Sequence, residues 1–192
     1  MKIAFVFPGQ GSQTVGMMNG FAAHPVVRET YAEASDALGE DLWAMVANGP
    51  VDQLALTTNT QPVMLTAGVA AWRAWQASGG PQPAVVAGHS LGEYTALVVA
   101  GAIAFRDAVP LVRFRAQAMQ QAVPAGQGAM AAIMGADDGA VMSACAEAAQ
   151  GHDRMRGVFI AQEFFGASKP KIEKALVVSM RPLMKAKIRN FA

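Results

Sequence analysis

Ala84-Val85-Val86-Ala87-Gly88-His89-Ser90-Leu91-Gly92-Glu93-Tyr94-Thr95-Ala96 decides how this chain is read. The apolar run Ala84 to Ala87 predicts a short strand. Gly88-His89-Ser90-Leu91-Gly92 fits the pattern G-x-S-x-G, and Glu93, Ala96, Leu97 and Ala100 then favour a helix. The pattern alone is common by chance. The order of strand, sharp turn and helix is what gives it meaning. In such an elbow the serine sits on a strained turn, and the flanking glycines are required because a Cβ would meet tightly packed backbone. The turn pushes the serine Oγ out of the sheet edge. It also turns the N–H of the following residue, Leu91, towards a developing oxyanion at the head of the helix. The plainer alternative is a serine that only caps an ordinary helix.

Outward from the elbow the chain alternates between the two periodicities. Lys2 to Phe7 is aromatic and β-branched and predicts a buried strand, followed by the loop Pro8-Gly9-Gln10-Gly11-Ser12-Gln13. The loop is either a plain turn or a device that aims a glutamine amide at a substrate oxygen. Helices are predicted over His24 to Leu38, in two short pieces over Asp41 to Val46 and Val51 to Leu56, and from about Val63 to Ala77, with Thr57 to Pro62 as a polar cap. Trp72 and Trp75 are read as core or groove packing. After the elbow helix, with Gly101 as its terminator, a helix is predicted over Arg106 to Gln121, a strand over Ala129 to Met134 and a helix over Asp137 to Gln150. Val158 to Ile160 and Ala175 to Val178 are short strand candidates.

Composition narrows the function classes. The 192 residues are 53% hydrophobic, with a mean hydropathy of +0.25, which supplies a sizeable core. No apolar run reaches the roughly 18 residues of a membrane helix, and the N-terminal stretch is broken by Pro8 too early for a signal peptide. The single cysteine, Cys145, forms no internal disulfide, so a reducing cytoplasm is expected. No Cys/His cluster has metal-ligand spacing. Net charge is +1 and no nucleic-acid partner is expected, but the charge is uneven. Residues 1–150 hold 6 Lys and Arg against 11 Asp and Glu, whereas residues 151–192 hold 9 against 3, a switch from −5 to +6. That switch marks the tail as anomalous.

Serine is a weak nucleophile and needs a base, most often histidine. The chain has three histidines: His24 before Pro25, His89 beside Ser90, and His152 in the tail. Neighbours on so tight a turn point apart, so His89 reads as packing or a substrate wall rather than the base. Arg113 and Arg115 lie on the helix after the elbow, and an arginine fork matches a carboxylate. Composition does not separate the two.

Phe5-Val6-Phe7-Pro8-Gly9-Gln10-Gly11-Ser12-Gln13 together with Gly88-His89-Ser90-Leu91-Gly92-Glu93-Tyr94 resembles the malonyl-CoA:acyl carrier protein transacylase family. Phe114-Arg115-Ala116-Gln117-Ala118-Met119-Gln120 and Gly128-Ala129-Met130-Ala131-Ala132-Ile133 extend the resemblance over roughly residues 1–150. It implies an α/β fold. Residues 1–127 would form a large α/β-hydrolase-like subdomain with a parallel sheet, and residues 128–192 would begin a ferredoxin-like small subdomain, incomplete here. It implies transfer of malonyl from malonyl-CoA to the phosphopantetheine thiol of acyl carrier protein through a malonyl-serine ester, with the coenzyme A thioester as substrate and no cofactor. By match, Ser90 is the nucleophile, Gln10 and Leu91 form the oxyanion hole, and Arg115 binds the malonyl carboxylate. The family's base histidine sits in a Pro-x-His-Ser-type motif that this chain lacks, and residues 151–192 depart from the family, as a truncated or frameshifted tail would. The other readings are a serine esterase of α/β-hydrolase type, an acyltransferase domain of a polyketide synthase, and a catalytically deficient module that binds coenzyme A or carrier protein.

Overall fold

The computed structural model describes residues 3–122 together with residues 139, 140 and 143. Two parallel strands, β1 (Ala4–Phe7) and β2 (Val85–Gly88), pair in register from Ala4 opposite Val85 to Phe7 opposite Gly88. Parallel strands need a long crossover. Here it is supplied by α1 (Pro25–Leu38), α2 (Leu42–Asn48), α3 (Val51–Ala55) and α4 (Thr57–Ala77). After β2 come α5 (Leu91–Val99) and α6 (Phe105–Ala122).

The long helix α4 is the hub, packed on α1, α5 and α6. Val63, Leu65, Val69 and Ala70 are fully or almost fully buried along it. Burial of each of the larger apolar side chains contributes about 1.5–3 kcal/mol. Strand side chains alternate between the two faces, so Phe5 and Phe7 point to the helices while Ala4 and Val6 point away. Phe5 meets Trp72 and Trp75 edge-on, with ring centroids 5.3 and 5.5 Å apart. Trp72 is buried as expected of core, whereas Trp75 keeps one edge in solvent and donates its indole N–H to the Pro81 carbonyl at 3.0 Å.

Two expectations need correction. β1 is not buried on both faces: Val6 is 71% exposed, because among the described residues the helices cover only the Phe5 and Phe7 side. The stretch Thr57 to Pro62 is not a cap before a helix at Val63 but the beginning of α4 itself. The amide of Thr60 closes the first turn on the Leu56 carbonyl, and its hydroxyl bonds back to the Leu54 and Leu56 carbonyls. Pro62 removes one N–H from that ladder, yet its ring presets a helical φ, so the helix runs through it. The other predicted helices of residues 24–121 appear within a few residues of their expected ends.

The chain divides into two units at Pro124, and all the elements above belong to the first. The strand expected over 129–134, those over 158–160 and 175–178, and most of the helix over 137–150 lie outside the described residues. Gly139, Ala140 and Ser143 of that last stretch are helical.

Candidate active site

β2 ends at Gly88 and α5 begins at Leu91, which leaves two residues to reverse the chain. Ser90 takes the strain, with φ 53° and ψ −110°, and it is the one non-glycine residue at positive φ among the described residues. Such a conformation costs on the order of 1–3 kcal/mol and persists where its surroundings enforce it. Those surroundings are backbone. A Cβ on Gly88 would lie 2.0 Å from the carbonyl group of Gly92, and one on Gly92 would lie 2.1 Å from the Phe7 carbonyl oxygen. The end of β1, the elbow and the head of α5 therefore touch main chain to main chain. The following loop joins the same packing, since a Cβ on Gly9 would sit 2.9 Å from the His89 carbonyl oxygen.

Ser90 occupies the capping position of α5, but its side chain accepts no capping bond from the helix. Its Oγ accepts instead from Arg115 Nη2 at 3.1 Å. The plain capping alternative is thereby excluded. The N–H of Leu91 is among the first-turn donors that an α-helix leaves unused, and it carries the positive end of the helix dipole.

Arg113 and Arg115, indistinguishable by composition, point to different places. Arg113 forks onto the Glu40 carboxylate with both terminal nitrogens. Arg115 divides its fork between Ser90 Oγ and Gln61 Oε1, the latter at 2.6 Å, and its guanidinium carbon lies 5.7 Å from the centre of the Tyr94 ring. Each guanidinium has five N–H donors, so Arg115 retains donors for an incoming acid group.

Gln10, on the loop after β1, is exposed and accepts from the Thr57 hydroxyl through Oε1 at 2.8 Å. Thr57 in turn accepts from Gln61 Nε2 at 3.0 Å, and Gln61 Nε2 also lies 3.4 Å from Met119 Sδ. One continuous polar chain thus joins Gln10, Thr57, Gln61, Arg115 and Ser90. The structure brings all four expected residues, Ser90, Gln10, Leu91 and Arg115, to this one locality.

Sequence reasoning passed over Thr57 and Gln61. They stand four apart, on one face of α4, but Pro62 makes that stretch read as a cap; once the helix is seen, Gln61, buried to 0% exposure, must have partners for both ends of its amide. His24 is exposed at the head of α1, beside Phe21, and His89 is half-buried on the elbow. His152 lies outside the described residues. Among the described residues no group of His, Cys, Asp and Glu could hold a metal ion, and no helix is long and apolar enough to cross a membrane.

The family model described as "Acyl transferase domain" matches residues 4–157. The chain is 61% identical over 151 residues to the malonyl CoA-acyl carrier protein transacylase of Escherichia coli K12, which covers 78% of this chain and 49% of the relative. It superposes on the crystal structure of an acyl-carrier-protein S-malonyltransferase from Burkholderia pseudomallei 1710b with a TM-score of 0.74 and 71% identity, covering 78% of this chain and 49% of that one. A malonyl-transacylase in complex with a type II polyketide synthase acyl-carrier protein gives a TM-score of 0.75 at 55% identity, covering 79% and 49%. The chain spans about half the length of the curated relatives it matches.

Proposed function

The chain belongs to the acyl transferase domain family, and on that premise we propose that it takes part in transferring malonyl from malonyl-CoA to the phosphopantetheine thiol of acyl carrier protein in fatty acid synthesis. The observation that carries this reading is Arg115 donating to Ser90 Oγ. A cation beside the nucleophile suits an acyl group that carries its own negative charge. In a malonyl ester of Ser90 the free carboxylate is three bonds from Oγ, within reach of the same guanidinium. An esterase acting on neutral acyl groups has no use for it.

Ser90 Oγ attacks the thioester carbonyl and loses its proton to a base. The oxyanion is held by the Gln10 amide and the Leu91 N–H. The C–S bond then breaks, coenzyme A leaves with a proton, and malonyl stays on Ser90. The phosphopantetheine thiol attacks that ester, a new C–S bond forms, the C–O bond breaks, and Ser90 regains its proton. The coenzyme A thioester is a substrate, and no cofactor enters. No described residue is assigned as the base.

The α/β-hydrolase-like character of residues 1–127 is supported by the parallel pair and its elbow. The small subdomain beginning near residue 128 is ferredoxin-like on this reading, and the division of the chain at Pro124 supports its being a separate unit. A cytoplasmic setting is supported by the single cysteine. The partnership with acyl carrier protein is supported by the similar malonyl-transacylase held in complex with one.

The test follows the mass of holo acyl carrier protein incubated with malonyl-CoA and the full-length protein. A malonyl gain is expected with the native protein, and its rate is expected to fall at least a thousandfold with Ser90→Ala, because the covalent route is lost. Acceptor gain that persists in Ser90→Ala would overturn the serine route. The absence of any gain with the native protein would favour a deficient module that binds without transferring.

A further inference from the structure

His89 is the elbow residue to which the transfer chemistry above gives no part. Its main chain is tied in two directions. The N–H donates to the Phe7 carbonyl at 3.2 Å, just past the paired ends of β1 and β2. The carbonyl accepts from the Gly92 N–H at 2.8 Å, which closes the turn around Ser90. The half-buried ring lies against the loop after β1. A Cβ on Gly9 would sit 2.9 Å from the His89 carbonyl oxygen, 3.3 Å from His89 Nδ1 and 3.7 Å from Ser90 Cβ. Ordinary contact between such atoms is about 3.5–4.0 Å, so carbonyl and imidazole together leave Gly9 room for a hydrogen and no more. Gly9 is accordingly buried, whereas Pro8 and Gln10 on either side of it are exposed. The peptide that joins Gly9 to Gln10 therefore starts beside Ser90. Further on the loop stands clear: Gly11 takes a φ of 107°, and a Cβ there would meet nothing within 4 Å. The Gly11 N–H donates to Gln13 Oε1 at 2.7 Å, inside the loop, and the Gln10 side chain is held by Thr57 of α4. Neither bond ties the loop to the elbow; the packing of Gly9 on His89 does.

We propose that His89 is a positioning residue: its imidazole, packed against Gly9, holds the loop after β1 at a fixed distance from the elbow, so that the main-chain N–H of Gln10 serves the same oxyanion as that of Leu91. This rests on the acyl-transfer reading above. The two donors belong to separate segments, one at the head of α5 and one in an exposed loop. Donors on separate segments act together only while their spacing is fixed, and a misplacement of about 1 Å can cost on the order of a hundredfold in rate. A base or a substrate wall would make other demands. A base needs a nitrogen that takes up a proton, and a wall acts on binding.

The ring atom nearest Gly9 is at the δ position, and this selects the variants. His89→Asn keeps a planar group with atoms of similar size there, His89→Gln carries its amide one bond further out, and His89→Ala removes the group. Rapid-quench measurement of Ser90 acylation by malonyl-CoA, in the full-length protein, is expected to show a rate constant about tenfold lower for His89→Ala, less than the hundredfold or more that follows loss of a whole oxyanion donor. His89→Asn should stay within about threefold of native, and His89→Gln should resemble His89→Ala. The concentration of half-saturation should be unchanged, since the spacing matters in the transition state. Asn and Gln both keep a polar side chain, so their contrast carries the comparison even where His89→Ala loses stability. A native rate in His89→Ala or in His89→Gln would overturn the proposal. So would a His89→Asn as slow as His89→Ala, as a base requires, or a raised half-saturation, as a wall requires. A second readout is independent of activity: the main-chain 15N order parameter of Gln10 should fall in His89→Ala and hold in His89→Asn. Native protein that takes no malonyl at all would sink the acyl-transfer reading. The order parameter would still decide the packing, and one unmoved by His89→Ala would refute it.

Discussion

Arg115→Ala is expected to lower Ser90 acylation by malonyl-CoA by about 30-fold to several thousandfold while leaving acetyl-CoA within a fewfold. A bidentate, partly buried carboxylate contact contributes about 2–5 kcal/mol, and each 1.4 kcal/mol is about tenfold. An acetyl group offers no carboxylate, so it loses only the indirect effect through Gln61, whose buried Oε1 the substitution leaves without its donor. Arg115→Lys should recover part of the malonyl rate, since a point charge replaces a fork. Arg113→Ala is the control. Its guanidinium pairs with a partly exposed Glu40 away from the elbow, and such pairs contribute about 0–1 kcal/mol to stability. Single-turnover rates with the two donors, compared across these three variants, separate the roles. Equal losses for malonyl and acetyl in Arg115→Ala would make Arg115 a structural residue.

Gly92→Ala is expected to abolish the native elbow. The added Cβ would lie 2.1 Å from the Phe7 carbonyl oxygen and 2.8 Å from that of Pro8. Both are backbone, so no flexible side chain can move aside. Relief requires that α5 separate from β1, which takes Ser90, Leu91 and the Gln10 loop apart together. The penalty should be at the upper end for single substitutions, about 4 kcal/mol or more, enough to unfold a marginal domain. Gly101→Ala is the comparison, because its Cβ would meet nothing within 4 Å. The strain of its φ of 73° alone should cost only about 1–2 kcal/mol. Thermal melts of the two variants against the native protein check this, and a Gly92→Ala melt within a few degrees of native would show that the elbow tolerates a side chain.

The elbow was legible because its demands are steric and local. Glycines two before and two after a serine, between an apolar run and a helix former, state a backbone requirement directly in sequence. The arginines were not legible from composition. Arg113 and Arg115 are two apart on a helix, so they point to nearly opposite sides. Which side faces the elbow depends on how α6 packs on α4, a long-range contact that no local pattern encodes. The resemblance chose Arg115, and the packing supplies the physical reason, with Glu40 drawing Arg113 the other way. Thr57 and Gln61 were hidden by Pro62. A polar run ending in proline reads as a cap, and only the Thr60 back-bonds and the closed turn at Leu56 reveal the helix that sets the two on one face. The exposure of Val6 was hidden for a different reason. An apolar strand shows its own character, not whether anything covers both of its faces.

Peptide mapping of the malonyl adduct goes straight to the nucleophile. Trypsin cuts after Arg73 and Arg106 and releases residues 74–106, a fragment that contains Ser90 and no internal Lys or Arg. After brief mixing of the full-length protein with malonyl-CoA and an acid quench, fragmentation of this peptide should place malonyl on Ser90 and leave it unmodified in Ser90→Ala. Malonyl found on another residue, or malonyl-CoA consumed at a catalytic rate while Ser90 stays free at every time point, would contradict a covalent route through the elbow.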